Sequence, residues 1–197
     1  MFPKISPQSP WPLYAASPNH FNSGSLPTTG TAIYSGQSSN VVVGDISGVT
    51  AKPPADTSSY LTIGPTRGAS VSIAFSSTMD YFGFYFGSLD DYNFVDLYQN
   101  KSLVVALTGT QIASIGGFPA NGDQGRGIYV NIYSNNASEY FNRVVLRSTS
   151  NAFESDNHAF RAVQRSITTL DSTVSEPAFA FLLAPALLLL IGKKAAS

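Results

Sequence analysis

From Thr31 onward the chain repeats short apolar runs separated by turn-forming residues, the pattern of an all-β domain rather than of packed helices. The spacing predicts strands over Ala32–Tyr34, Val41–Val43, Tyr60–Ile63, Ser70–Phe75, Tyr81–Phe86, Phe94–Tyr98, Leu103–Leu107, Ile128–Tyr133, Phe141–Arg147 and Ala159–Val163. Strict alternation sets Val71, Ile73 and Phe75 on one face of their strand. In the same way Tyr81, Gly83 and Tyr85 oppose Phe82, Phe84 and Phe86. Gln99–Ser102 reads as a hairpin turn, and residues 116–125 as a glycine-rich surface loop. No amphipathic helix is expected between residues 31 and 165. The predicted fold is a two-sheet antiparallel β-sandwich, jelly-roll-like, occupying residues 31–165.

The two ends differ from this body. Residues 1–30 hold Pro3, Pro7, Pro10, Pro12, Pro18 and Pro27, a density that blocks regular structure and predicts an irregular arm. Met1–Pro10 has no apolar stretch behind its one lysine and is not a secretory signal, so the expectation is a true start further upstream. Residues 166–177 are small and polar, an exposed spacer of the kind a protease can reach. From Ala178 to Gly192 there is no charge, and Lys193 and Lys194 follow. As a helix this apolar stretch spans roughly 22 Å. That is short against a bilayer core of about 30 Å. Lysines at its end fit a cytoplasmic terminus with the domain outside. The alternative is a buried C-terminal core helix, which ordinarily carries a polar face that this segment lacks.

The order of polar motif, apolar helix and basic end resembles the PEP-CTERM sorting signal of Gram-negative bacteria. Val174, Ser175, Glu176 and Pro177 stand at the motif, with Ser175 where its first proline would be, and Lys193 and Lys194 form the basic tail. The resemblance implies export to the cell envelope or surface, membrane insertion through residues 178–197, and an exosortase-type membrane protease as partner. Tyr81–Asn93 and Asn151–Phe160 are similar to a family of exosortase-dependent surface proteins, over roughly residues 46–163. That likeness implies a β-sandwich and a surface location, and no particular activity.

Composition agrees with an exported, neutral, β-rich protein. Charged residues are 12% of the chain, about half the usual ~25%, and the net charge is −1. There is no basic field to attract nucleic acid. The chain has no cysteine, which excludes disulfides and thiol chemistry.

Two acidic groups are candidates for a structural Ca²⁺, which takes six to eight oxygen ligands. One comprises Asp90, Asp91 and Asn93, with Asp96 close by. The other is Asp156 and Asn157 beside Glu154, similar to the Asp-Asn pair that helps hold Ca²⁺ at the last strand of jelly-roll carbohydrate-binding modules. Asp and Asn also cap turns, and that reading stays open. Tyr81 and Tyr85 are candidate platforms for a sugar ring, or packing residues. His20 and His158 each stand alone, and no nucleophile or phosphate-loop motif occurs. Glu139 and Glu154 could serve as a glycosidase pair only if folding brings them together. The expected role is a non-catalytic structural or interaction protein of the envelope. The alternative is a carbohydrate-binding module for polysaccharide, with no cofactor beyond the candidate Ca²⁺.

Overall fold

The computed structural model describes residues 4–6 and 21–164. The sorting motif Val174–Pro177, the apolar segment and Lys193–Lys194 lie outside the described residues, as does His20. Among the described residues no helix is long and apolar enough to cross a membrane.

The fold is mostly β. Its strands are β1 (Lys4–Ser6), β2 (Ala32–Ser35), β3 (Val41–Val43), β4 (Ser59–Ile63), β5 (Ser70–Phe86), β6 (Asn93–Gln99), β7 (Ser102–Thr108), β8 (Ile128–Tyr133), β9 (Phe141–Ser148) and β10 (Phe153–Ala162). They form one curled antiparallel sheet with the path β3-β4-β10-β5-β9-β6-β7, while β2 and β8 also pair with β5 and β1 pairs with β8.

β5 organises the sheet because it changes neighbours along its length. Its first part lies between β2 and β9 (Ala32↔Phe75, Ile73↔Val144), and its second between β8 and β10 (Phe84↔Val130, Phe82↔Phe160). The change falls at an irregularity between Ala74 and Met79. Side chains alternate with period two, so extra residues there exchange the faces. Val71, Ile73 and Phe75 point into the core before it, and Phe82, Phe84 and Phe86 after it. The sequence pattern broke there into two predicted strands; they are one strand of 17 residues. Backbone bonds such as Ser76 N to Thr31 O and Val163 N to Thr78 O keep the polar junction extended.

β10 uses the same device. Its register against β5 shifts between Asp156 and Ala159, and Asn157 takes the left-handed conformation with φ 54°. Ser155 and His158 are thereby brought into contact, with Ser155 Oγ 2.8 Å from His158 Nε2. The core is continuous: Phe84, Phe86 and Phe153 stack, and Phe75 packs against Phe82, Phe141 and Phe160. Each such aromatic ring contributes about 1.5–3 kcal/mol by burial.

Two expectations are corrected. The proline-rich arm contributes a strand, β1, built from the proline-free triplet between Pro3 and Pro7 and paired with β8. A helix also occurs, α1 (Gly109–Gly116). Thr108 caps it through its side chain to Gln111 N, and Gly117 closes it in the left-handed conformation at φ 74°. Only Ile112 and Ala113 give it a buried apolar side, too short a pattern to stand out among the strands.

Candidate functional site

Loops from four connections converge at one end of the sheet around a cleft of about 760 Å³. The β3–β4 connection supplies Asp45 through Pro54, and the β5–β6 connection supplies Ser88, Asp90 and Tyr92. Asn121, Gly122 and Gln124 come from the segment after α1, and Asn151, Ala152 and Glu154 from the start of β10. Loops held on a rigid sheet are where binding groups commonly sit.

Glu154 ties this wall together. It is 2% exposed. Its Oε1 accepts from Thr50 Oγ1 at 3.0 Å and Ala51 N at 3.3 Å, and its Oε2 from Ser88 Oγ at 2.6 Å. Thr62 Oγ1 donates in turn to Thr50 Oγ1 at 2.9 Å, and the Tyr60 hydroxyl to Gly44 O at 2.8 Å. Burial raises the Glu154 carboxyl above its usual pKa, opposed by the bonds from Ser88, Ala51 N and Thr50. The Lys52 backbone N–H donates to Asp45 Oδ1 at 2.8 Å and closes the rim of the same loop.

Asp90 forms the opposite side. Its backbone pairs with Asn121 in an isolated bridge, and Gly122 N donates to Leu89 O at 2.9 Å. Gly122, with φ 67°, leaves the space that the Asp90 carboxyl occupies; a Cβ there would run into both of its oxygens. Desolvation raises the Asp90 carboxyl, with the Tyr92 hydroxyl opposing and the charge of Asp91 adding. The Tyr92 hydroxyl lies 3.0 Å from Asn151 O, to which it can donate, leaving the half-buried ring along the cleft.

The candidate residues are thus dispersed. Asp90 lines the cleft, Asp91 is exposed, and Asn93 caps the turn beneath them by accepting from Asp90 N at 2.8 Å. Asp96 lies on β6, where Arg147 Nε donates to it at 2.6 Å. Asp156 and Asn157 border a second pocket of about 500 Å³ with Asp56, Ser58, Tyr85 and Tyr129. There Ser58 Oγ donates to Asp56 Oδ1 at 2.6 Å and approaches Asp156 Oδ2 at 3.3 Å. Among the described residues no group of three or more His, Asp or Glu is placed to hold a metal ion.

Tyr85 reaches that second pocket, whereas Tyr81 is wholly buried, its hydroxyl donating to Asn131 Oδ1 at 2.9 Å and its ring packed on Tyr133. Glu139 sits in the turn before β9 and accepts from Asn135 N at 2.6 Å, so it does not line the cleft with Glu154. His158 is enclosed in the core. Thr50, Asn121 and Asn151 are site residues that the sequence pattern did not single out. Their only signal is residence in polar loops.

No protein-family model and no curated protein matches the chain. A solved structure described as a GH31 CBM32-2 module bound to GalNAc is similar, at 15% identity and a TM-score of 0.36, covering 67% of this chain and 97% of that one.

Proposed function

We propose that this domain is a non-catalytic saccharide-binding module, a jelly-roll-like β-sandwich carried by an exported envelope protein. The observation that carries the reading is the cleft between Glu154 and Asp90. It gathers hydroxyl, amide and carboxyl groups from four loops around one tyrosine ring, in a volume suited to one or two sugar residues. Sugars offer vicinal hydroxyls to such acceptors and an apolar face to an aromatic ring. The Glu154 carboxylate is occupied by donors of its own loops, which supports a scaffold role over that of an acid or base. A glycan array and titration calorimetry with the full chain in detergent test the reading. Binding to at least one glycan, weakened tenfold or more by Tyr92→Ala, is expected; no binding across a broad panel overturns it.

The order of Val174–Pro177, apolar segment and Lys193–Lys194 supports sorting to the envelope with an exosortase-type protease as partner. Deleting residues 175–197 is expected to abolish envelope association in cell fractionation, and unchanged fractionation removes this part.

A further inference from the structure

We infer that the cleft selects saccharides by charge, favouring amine-bearing over uncharged sugar units and rejecting uronates. The inference rests on the saccharide reading above and names the ligand class for the same site. Among the described residues three carboxyl groups line the cleft, those of Asp45, Asp90 and Glu154, against one basic side chain, Lys52. Lys52 is exposed and free to swing its ammonium into solvent. Asp90 is held differently. Its side chain sits in the recess left by Gly122, where the Tyr92 hydroxyl bonds to it, and among the described residues the charge acting on it is that of Asp91.

The Glu154 oxygens are already taken by Thr50, Ala51 and Ser88, so the acceptors a ligand in the cleft meets are the carboxylates of Asp45 and Asp90. Hydroxyls and an ammonium satisfy acceptors, while a sugar carboxylate brings a like charge into a partly desolvated space. Like charges at such a site disfavour association and opposite charges favour it. The amides of Asn121, Gln124 and Asn151 donate and accept equally, so they hold the sugar without changing the order.

The test measures the full chain in detergent at neutral pH against three probes. They are glucosamine oligosaccharides, their N-acetylated counterparts and oligogalacturonides of equal length. Affinity is expected to fall in that order, with at least a tenfold gap between the first and last. Raising salt to about 0.5 M should narrow the gap, because part of it is screened. Asp45→Asn, on an exposed loop, should reduce the amine preference several-fold while leaving the N-acetylated probe nearly unchanged. Asp90→Asn should do the same to a larger degree. If oligogalacturonides bind as tightly as the amine probe, or if Asp45→Asn and Asp90→Asn leave the order untouched, charge selection is wrong and saccharide binding stands. If no probe and no array glycan binds, the saccharide reading itself is overturned and this inference with it.

Discussion

The Ser88 hydroxyl donates to Glu154 Oε2 over 2.6 Å, while Thr50 and Ala51 donate to Oε1, so one buried carboxylate fastens two loops to β10. Glu154→Ala strands these donors and opens space behind the cleft. A loss of about 2–3 kcal/mol is expected, the cost of leaving buried polar groups unmet. Glu154→Gln keeps one acceptor oxygen and the shape, and should lose less than about 1 kcal/mol. Urea unfolding of the two variants checks this; equal midpoints for Glu154→Ala and the parent would show that the carboxylate holds nothing.

Arg147 lies directly across from Phe94 in the β6–β9 register, stacks over its ring at 3.9 Å, and donates to Asp96. Asp96 is nearly enclosed, but the arginine side chain is 37% exposed, so solvent screens the pair. A double-mutant cycle with Asp96→Ala and Arg147→Ala should give a coupling of about 1 kcal/mol, smaller in high salt. Added Ca²⁺ should leave the parent's unfolding midpoint unmoved through this residue, since Arg147 already satisfies it. A coupling near zero would remove the ion pair from the account of the sheet.

Gly83 is where a side chain has no room. A Cβ there would run into the Tyr81 hydroxyl and meet Tyr129 Cε1 at 2.9 Å. Gly83→Ala is expected to destabilise by about 1–3 kcal/mol, as overpacking does. Gly125→Ala, on the surface loop, should stay within about 0.5 kcal/mol. Thermal unfolding distinguishes them, and equal melting temperatures for both variants would contradict the packing of this tyrosine layer.

Alternation made most of the sheet legible. Val71-Ile73-Phe75 and Phe82-Phe84-Phe86 were both readable as inward faces, because period two is a local property. What joins them was not, since the exchange of faces at Ser76–Thr78 is maintained by partners such as Thr31 and Val163, far away in sequence. The site divides the same way. Asp90 and Glu154 stand out as carboxyls in polar clusters, yet their relation depends on Thr50, Ser88 and Gly122, which lie in loops with no period. Tyr81 and Tyr85 share a strand face, and only the packing of Tyr129 and Tyr133 decides that one is buried and the other lines a pocket.

His158 gives the fold a dependence on pH whose sign can be worked out. Its Nδ1 lies 2.9 Å from the Tyr34 hydroxyl and its Nε2 2.8 Å from Ser155 Oγ, with Phe21, Phe82 and Phe84 around the ring. A neutral imidazole satisfies both hydroxyls, whereas a charged one would be buried without a counter-ion. Desolvation therefore lowers its pKa from 6.5 to about 3. Between those values the unfolded chain binds a proton that the folded chain refuses. Stability from this group is complete above pH 6.5 and declines as pH falls towards 3, by up to about 1.4 kcal/mol per pH unit. Glu154 and Asp90 act in the opposite sense. Their raised carboxyls contribute stability that is present below their ordinary pKa values and lost as pH rises through the folded ones. Comparing the parent with His158→Gln, which can still donate and accept, isolates the histidine. From pH 6.5 down to 4.5 the parent should lose stability more steeply than the variant, measured by urea unfolding at each pH. Parallel curves across that range would mean that His158 takes up its proton without unfolding, and that the ring is not sealed in the core.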